Sequence, residues 1–232
     1  MMEIKVLGSS SKGNCYIVSD GPTKLLLDCG VPIRRILPGI DFKPECVAGC
    51  LVTHSHGDHV KSAKELMFRG IKVYASAGCI GAANISGAVP VKSMKMFTVG
   101  TFRVLPFDTQ HDAPEPLGFL LKSTVTDEKL LYFTDSYYLK YRFTGITHIL
   151  CEANYDPEIL RRRVESGEVP RMLADRVISS HMSIDHLEDF LRACDLSKLR
   201  KIWLCHLSDG NSNAAEFQRR IQRLTGVEVE VC

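Results

Sequence analysis

The chain has 232 residues, enough to close one substantial hydrophobic core. Hydrophobic residues are 45% of it and charged residues 24%, an ordinary globular balance, and no apolar run reaches the roughly 20 residues that a membrane-spanning helix needs. A net charge of +2 does not by itself imply a nucleic-acid partner, and nine scattered cysteines suit a reducing cytoplasm better than a disulfide framework.

The first elements are strands. Met1-Met2-Glu3-Ile4-Lys5-Val6-Leu7 enters a strand-like alternation without the long apolar core of a secretory signal, so a cytoplasmic location and no membrane partner are expected. Ile4–Leu7, Cys15–Ser19 and Lys24–Asp28 read as strands, followed by a buried strand over Val47–Val52. A helix is expected from Val60 to Arg69, closed by Gly70. Ile71–Ala75, Phe102–Phe107, Gly118–Thr124, Lys129–Thr134 and Ile146–Cys151 continue the strands, with Gly, Pro and Asp punctuation between them.

Helices then alternate with strands. Asp156-Pro157 offers an N-cap and a first-position proline for a helix over Glu158–Glu165. Ser183 caps a helix with Ile184, Leu187, Leu191 and Cys194 on one face, and Asn213 with Glu216 forms a capping-box pattern before Phe217, Ile221 and Leu224. Val177–Ser179 and Lys201–Cys205 are expected as intervening strands, with Val227–Val231 as a closing edge strand. No linker or repeat interrupts residues 1–232, so one domain is expected. Many early strands followed by βα units suit an α/β (α+β) four-layer αββα sandwich.

Chemistry concentrates in Thr53-His54-Ser55-His56-Gly57-Asp58-His59, on the turn leaving the Val47–Val52 strand. Three imidazoles and a carboxylate so close together repel one another when protonated, and a divalent cation gives all four a common role. Three more residues stand where a strand runs out into a loop: His111 after Phe102–Phe107, Asp135 after Lys129–Thr134, and His206 after Lys201–Cys205. His148, inside a strand, and His186, on the polar side of its helix, are not expected as ligands.

The set His54-x-His56-x-Asp58-His59, His111, Asp135 and His206 resembles the metallo-β-lactamase superfamily over essentially the whole chain. The resemblance implies that His54, His56 and His111 hold one metal, that Asp58, His59 and His206 hold a second, and that Asp135 bridges them. Zn2+ is the first choice, with Mn2+ or Fe2+ as alternatives. Asp28, in Leu27-Asp28-Cys29-Gly30, matches an acid that orients a ligand histidine. The opening Gly8-Ser9-Ser10-Ser11-Lys12-Gly13-Asn14-Cys15 resembles the small YycJ/WalJ-like exonucleases, as do Glu152-Ala153-Asn154, Arg176 and Ser180-His181-Met182-Ser183. That group typically has Gly-His-Leu-Ser-Asn where this chain has Ser180–Ile184.

What the resemblance implies is a dinuclear metal-dependent phosphodiesterase or nuclease, a 5′-to-3′ exonuclease on DNA rather than RNA. A hydroxide bridging the metals would attack phosphorus in line. Asp58 carries the catalytic second metal, and His181 contacts phosphate or protonates the leaving oxygen. Asn154, Arg176, Ser11 and Asn14 are the expected substrate contacts, and the arginines from Arg161 to Arg176 would line a strand path. The alternatives are a phosphodiesterase for cyclic or small nucleotides, a thioester or lactone hydrolase on the same metals, and a noncatalytic metal-stabilised module.

Overall fold

The computed structural model describes all residues from Met1 to Cys232, which form two compact units. The first comprises Met1–Asp108 and Ala113–Lys129. Its strands β1 (Glu3–Gly8), β2 (Cys15–Ser19), β3 (Lys24–Leu27), β4 (Val47–Leu51), β5 (Val73–Ala75) and β6 (Val89–Pro90) form one sheet in chain order. β1, β2 and β3 are antiparallel, whereas β3 to β6 are parallel. Parallel neighbours need crossovers, and these carry helices α1 (Ile33–Gly39), α2 (Gly57–Val60), α3 (Ala63–Phe68) and α4 (Ala77–Ala82). Ile36, Leu66 and Cys79 from those helices join Leu26, Cys50, Val52 and Val73 from the strand segments in one buried cluster. Fully burying an aliphatic side chain stabilises by roughly 1.5–3 kcal/mol, so this packing holds the strand ends in place. A separate antiparallel run, β7 (Phe97–Val99), β8 (Phe102–Asp108) and β9 (Leu117–Ser123), completes the unit.

The helix expected over Val60–Arg69 is broken. After the single turn of α2, the Ser62 amide donates to the Cys29 carbonyl and its hydroxyl to the Val31 carbonyl, at 2.9 and 2.7 Å. These contacts to the preceding strand loop replace helical bonds, and α3 starts afresh at Ala63.

The second unit comprises residues 109–112 and Leu130–Cys232. β10 (Lys129–Phe133), β11 (His148–Glu152), β12 (Lys201–Cys205) and β13 (Glu228–Val231) pair side by side, all parallel. Every residue of β11 is buried, the pattern of a parallel strand covered on both faces. β13 is the edge; Glu228 and Glu230 alternate outward and meet Lys201 at 2.7 and 2.8 Å, so charge blunts the exposed ladder.

Four helices belong to this unit: α5 (Pro157–Glu165), α6 (Arg171–Ser180), α7 (Ile184–Arg192) and α8 (Ala214–Thr225). Asp156, Ser183 and Asn213 cap α5, α7 and α8 by accepting backbone amides, each worth about 1 kcal/mol. The segment Val177–Ser179, expected as a strand, lies inside α6. Its β-branched residues favour a strand locally, but Ala174 and Val177 share a helical face that packs on Tyr155, Leu160 and Val169. Burial of that face overrides the local preference.

No helix is long and apolar enough to cross a membrane, and all nine cysteines are free. Asp28 and His54 in the first unit, and Asp135, Glu152 and His206 in the second, sit at or just past the carboxyl ends of parallel strands, the usual place for sites in α/β sheets.

Candidate metal centre

In the first unit, β3 and β4 end side by side and deliver Asp28 and Thr53-His54. Asp28 has φ +55°, a left-handed conformation that aspartate tolerates better than most residues. Its wholly buried carboxylate accepts the Thr53 amide at 2.8 Å and the Thr53 hydroxyl at 3.0 Å, and lies 2.8 Å from His59 Nδ1. Thr53 Oγ1 lies 3.0 Å from His54 Nδ1. One acid thus orders two rings. His56 precedes the single turn of α2, which swings Asp58 and His59 back; the rings of His54 and His59 come to 4.2 Å centroid to centroid, and those of His54 and His56 to 4.8 Å.

The Ser9–Asn14 loop locks this turn from behind. The Asn14 amide donates to the Asp58 carbonyl at 2.7 Å, and its side-chain amide lies 3.1 Å from His59 Nε2. Tyr16 Oη in turn lies 3.3 Å from Asn14 Oδ1 and 3.0 Å from Ser9 Oγ. Gly30 permits the closeness: a Cβ there would stand 1.6 Å from the Asp58 carbonyl oxygen. Gly13, with φ +151°, would press a Cβ to 2.6 Å from the Gly30 carbonyl oxygen.

In the second unit, Asp135 leaves β10, Glu152 ends β11 and His206 leaves β12. Asp135 and His206 both have positive φ, +49° and +53°, so the chain turns sharply at each strand end. Asp135 Oδ2 lies 3.6 Å from His111 Nε2, and Asp135 Oδ1 the same distance from His206 Nδ1. Thr134 donates to Asp135 Oδ1 at 2.6 Å, and the Ser180 carbonyl lies 2.9 Å from His111 Nδ1.

Glu152 has no solvent exposure. Oε1 is 2.6 Å from His181 Nδ1 and 3.2 Å from His206 Nδ1, while Oε2 accepts the Ser136 and Met182 amides at 3.1 and 3.0 Å. Donor atoms of Asp135, Glu152, His181 and His206 all lie within 4.8 Å of one another. The His181 and His206 rings stack at 5.4 Å and 15°.

Electrostatics follow from burial and these partners. Burial alone would favour neutral His181, but the Glu152 carboxylate outweighs it and raises the ring above the ordinary histidine value. Burial would likewise raise Glu152, yet His181 and the hydrogen bonds from His181 and His206 hold it below the usual carboxylate range. At His111 burial wins over Asp135, and its pKa falls. The donor sets of both units, imidazole nitrogens with carboxylate oxygens, fit divalent transition cations. The Nδ1 atoms of His54, His59 and His111 are engaged by Thr53, Asp28 and Ser180 respectively, which leaves Nε2 as the nitrogen that could ligate a cation.

The expected substrate contacts occupy different settings. Asn14 and Asn154 are buried, 0% and 6% exposed; Asn14 braces Asp58, and Asn154 donates to the His206 carbonyl at 2.8 Å. Both side chains are packed inside, Asn14 behind the Asp58 turn and Asn154 against His206. Ser11 is exposed at its loop tip. The arginine run is paired: Arg161 with Glu158 and Glu165, Arg162 with Glu158, Arg163 with Glu168, Arg171 with Asp175. Arg176 meets Asp112 at 3.4 Å, beside His111. Between Asp156 and Arg176, Arg161, Arg162, Arg163, Arg171 and Arg176 are balanced by Asp156, Glu158, Glu165, Glu168 and Asp175, so the stretch carries no net charge. His148 is buried against Trp203 and Thr147, and exposed His186 meets the Tyr137 carbonyl. Glu152 is the residue that sequence reasoning gave no role. Its one signal is an acid closing an otherwise apolar strand.

Comparison with known proteins places this arrangement. "Exodeoxyribonuclease WalJ" of Streptococcus pneumoniae serotype 2 is 31% identical over 227 residues, covering 89% of this chain and 82% of that protein. The chain belongs to the WalJ/YycJ family. "Exodeoxyribonuclease YycJ" of Bacillus anthracis is 28% identical over 235 residues, covering 94% of this WalJ/YycJ-family chain and 86% of that protein. A family model described as "Anti-Pycsar protein Apyc1" matches residues 7–77, the segment with the Asn14 loop and the histidine motif. Among solved structures, the metallo-β-lactamase fold protein YhfI from Bacillus subtilis superposes with a TM-score of 0.78 at 15% identity, covering 100% of this chain and 96% of that one. The fold is therefore the metallo-β-lactamase fold, a mixed α/β architecture. Membership in the WalJ/YycJ family makes the chain a metal-dependent hydrolase acting on phosphodiester bonds.

Proposed function

We propose that this WalJ/YycJ-family chain is a 5′-to-3′ DNA exonuclease with two divalent cations at its centre. His54, His56 and His111 would hold the first cation, Asp58, His59 and His206 the second, and Asp135 would serve both. We also take residues 1–232 to work as a single domain. The observation that carries the reading is the similarity to two exodeoxyribonucleases over about nine-tenths of the chain.

Bound there, the cations would lower the pKa of water and neutralise charge on the phosphoryl oxygens, with Zn2+ the first candidate and Mn2+ or Fe2+ behind it. The chain's own residues do the rest. Asp28 and Thr53 fix the rings of His59 and His54, and Asn14 holds the Asp58 turn. His181, held through Nδ1 by Glu152, would give a proton from Nε2 to the leaving oxygen as a water oxygen adds in line to phosphorus and the opposite P–O bond breaks. Glu152 keeps Nδ1 engaged, so the proton on offer is the one facing substrate.

A second reading, hydrolysis of a cyclic or small nucleotide, draws support from the neutral arginine stretch, since a small substrate needs no extended basic track. One experiment separates them. Metal-loaded protein is given duplex DNA labelled at the 5′ end or the 3′ end, and separately cyclic mononucleotides. The exonuclease reading expects early release of the 5′ label as mononucleotide, with steep inhibition by salt. Release of the 3′ label first would reverse the polarity, and turnover of cyclic mononucleotides alone would favour the second reading.

A further inference from the structure

The first unit holds a cavity of about 560 Å³ beside the histidine motif, distinct from the ligand residues themselves. Its walls come from Ser76 and Ala77 after β5, from Pro90–Ser93 after β6, and from Asp108 and Glu115–Leu117 at the paired ends of β8 and β9. β5 is the strand next to β4, and the Leu117 amide donates to the Thr53 carbonyl at 2.9 Å. The wall is thus tied to the residue that precedes His54.

The lining has the character of a site for a flat, neutral, amphipathic group. Pro90, Val91, Pro116 and Leu117 supply apolar surface, and the volume falls within the range of small-molecule pockets, about 300–1,000 Å³. Asp108 and Glu115 contribute carboxylates, which repel a phosphate and accept from amino groups. Glu115 takes the Gly78 amide at 2.7 Å, one of the roughly four acceptor positions a carboxylate offers. Ser93 Oγ is shut off from solvent and makes no hydrogen bond within the chain, a capacity that a ligand meets once the side chain rotates. Apolar faces with hydrogen-bonding edges are how enzymes hold an extruded base.

We propose that this cavity receives the nucleobase of the nucleotide at the scissile end, with Asp108 and Glu115 accepting from exocyclic amino or ring N–H groups. This deepens the exonuclease reading and rests on it for the source of the base. The same chemistry would hold the base of a small nucleotide, so the test includes both.

Duplexes carry either an intact terminal nucleotide or an abasic one, at the 5′ end in one series and the 3′ end in another. Wild-type kcat/KM on the attacked end should fall about tenfold when the base is removed, the scale of one lost base contact. Ser93→Phe and Ala77→Phe, which fill the cavity from a partly exposed and an exposed position, should lower kcat/KM on the intact end by a similar factor. They should leave the abasic end unchanged. A 2-aminopurine at the attacked end, read by fluorescence in EDTA, should be quenched on binding wild type and not the variants. Equal wild-type rates on intact and abasic ends overturn the pocket while leaving the nuclease reading intact. If DNA is not cleaved but cyclic mononucleotides are, the nuclease reading fails, and a base-free cyclic ribose phosphate then supplies the same comparison. Absence of 2-aminopurine quenching together with equal rates on that pair overturns the pocket there too.

Discussion

Glu152 Oε1 lies 2.6 Å from His181 Nδ1, with the carboxylate sealed from solvent and the ring about a fifth exposed. The acid cannot reach substrate except through the ring. His181→Ala should therefore lower kcat by about 10²–10⁴-fold, the range of a lost general acid, while metal content measured by elemental analysis stays at the wild-type value. Glu152→Gln should lower it by about 10–100-fold, as an outer partner does. Loss of metal in His181→Ala would make that residue a ligand and refute the assigned role.

Asp28 serves His59 and, through Thr53, His54. Asp28→Asn keeps the shape but removes the charge that supports both rings, so chelator competition should show metal affinity weakened about 10–100-fold. Thr53→Val should weaken it less, because Asp28 still meets His59 directly. Equal affinity in wild type and Asp28→Asn would leave the acid a purely structural role.

At Gly30 the backbone of the histidine turn leaves no room for a methyl group. Gly30→Ala must displace Asp58 or the strand loop, at a cost of about 1–3 kcal/mol if it behaves as an overpacked core site. A lower Tm accompanied by weaker metal binding is expected. Gly21→Ala is the control for composition: nothing stands within 4 Å there, although φ +100° carries its own strain. It should lower Tm without affecting metal.

Asp20 provides a pH signature away from the site. Burial would raise its pKa, but hydrogen bonds from Ser123, Thr101 and the Thr23 amide outweigh it and hold the carboxyl below the ordinary aspartate value. A folded-state pKa below the unfolded one means stability that is present above about pH 4 and lost as pH falls through the folded value. Asp20→Asn should thus have a lower Tm than wild type at neutral pH, with the gap narrowing below about pH 4. A gap that stays constant down to pH 2 would refute the linkage.

The histidine motif stands out in the sequence because its candidate donors are contiguous and exit one apolar strand; His111, Asp135 and His206 stand out because each follows a strand, and Asp135 lies 3.6 Å from both histidines. Ser9 to Asn14 are expected to offer backbone N–H groups to a phosphate and Asn154 to touch substrate, but both asparagine side chains are buried. Their burial follows from tertiary packing, with Tyr16 behind one and the His206 carbonyl in front of the other. Glu152 was silent for the opposite reason: only its complete burial separates it from any acid at a strand end. Val177–Ser179 misled because three residues carry no period, and the helical face appears only with Ala174 and the surface it covers.

Asp28, Asp135 and His206 share a left-handed backbone at the ends of three different strands. Each position is therefore filtered twice, once for what it binds and once for what the chain can bend through. Few side chains other than aspartate, asparagine, histidine and glycine pass the second filter cheaply. A lineage adapting this scaffold to a softer cation by trading in a thiolate would incur backbone strain at Asp135 or His206. No positive φ burdens His54, His56 or His111, so drift in metal preference should enter there first.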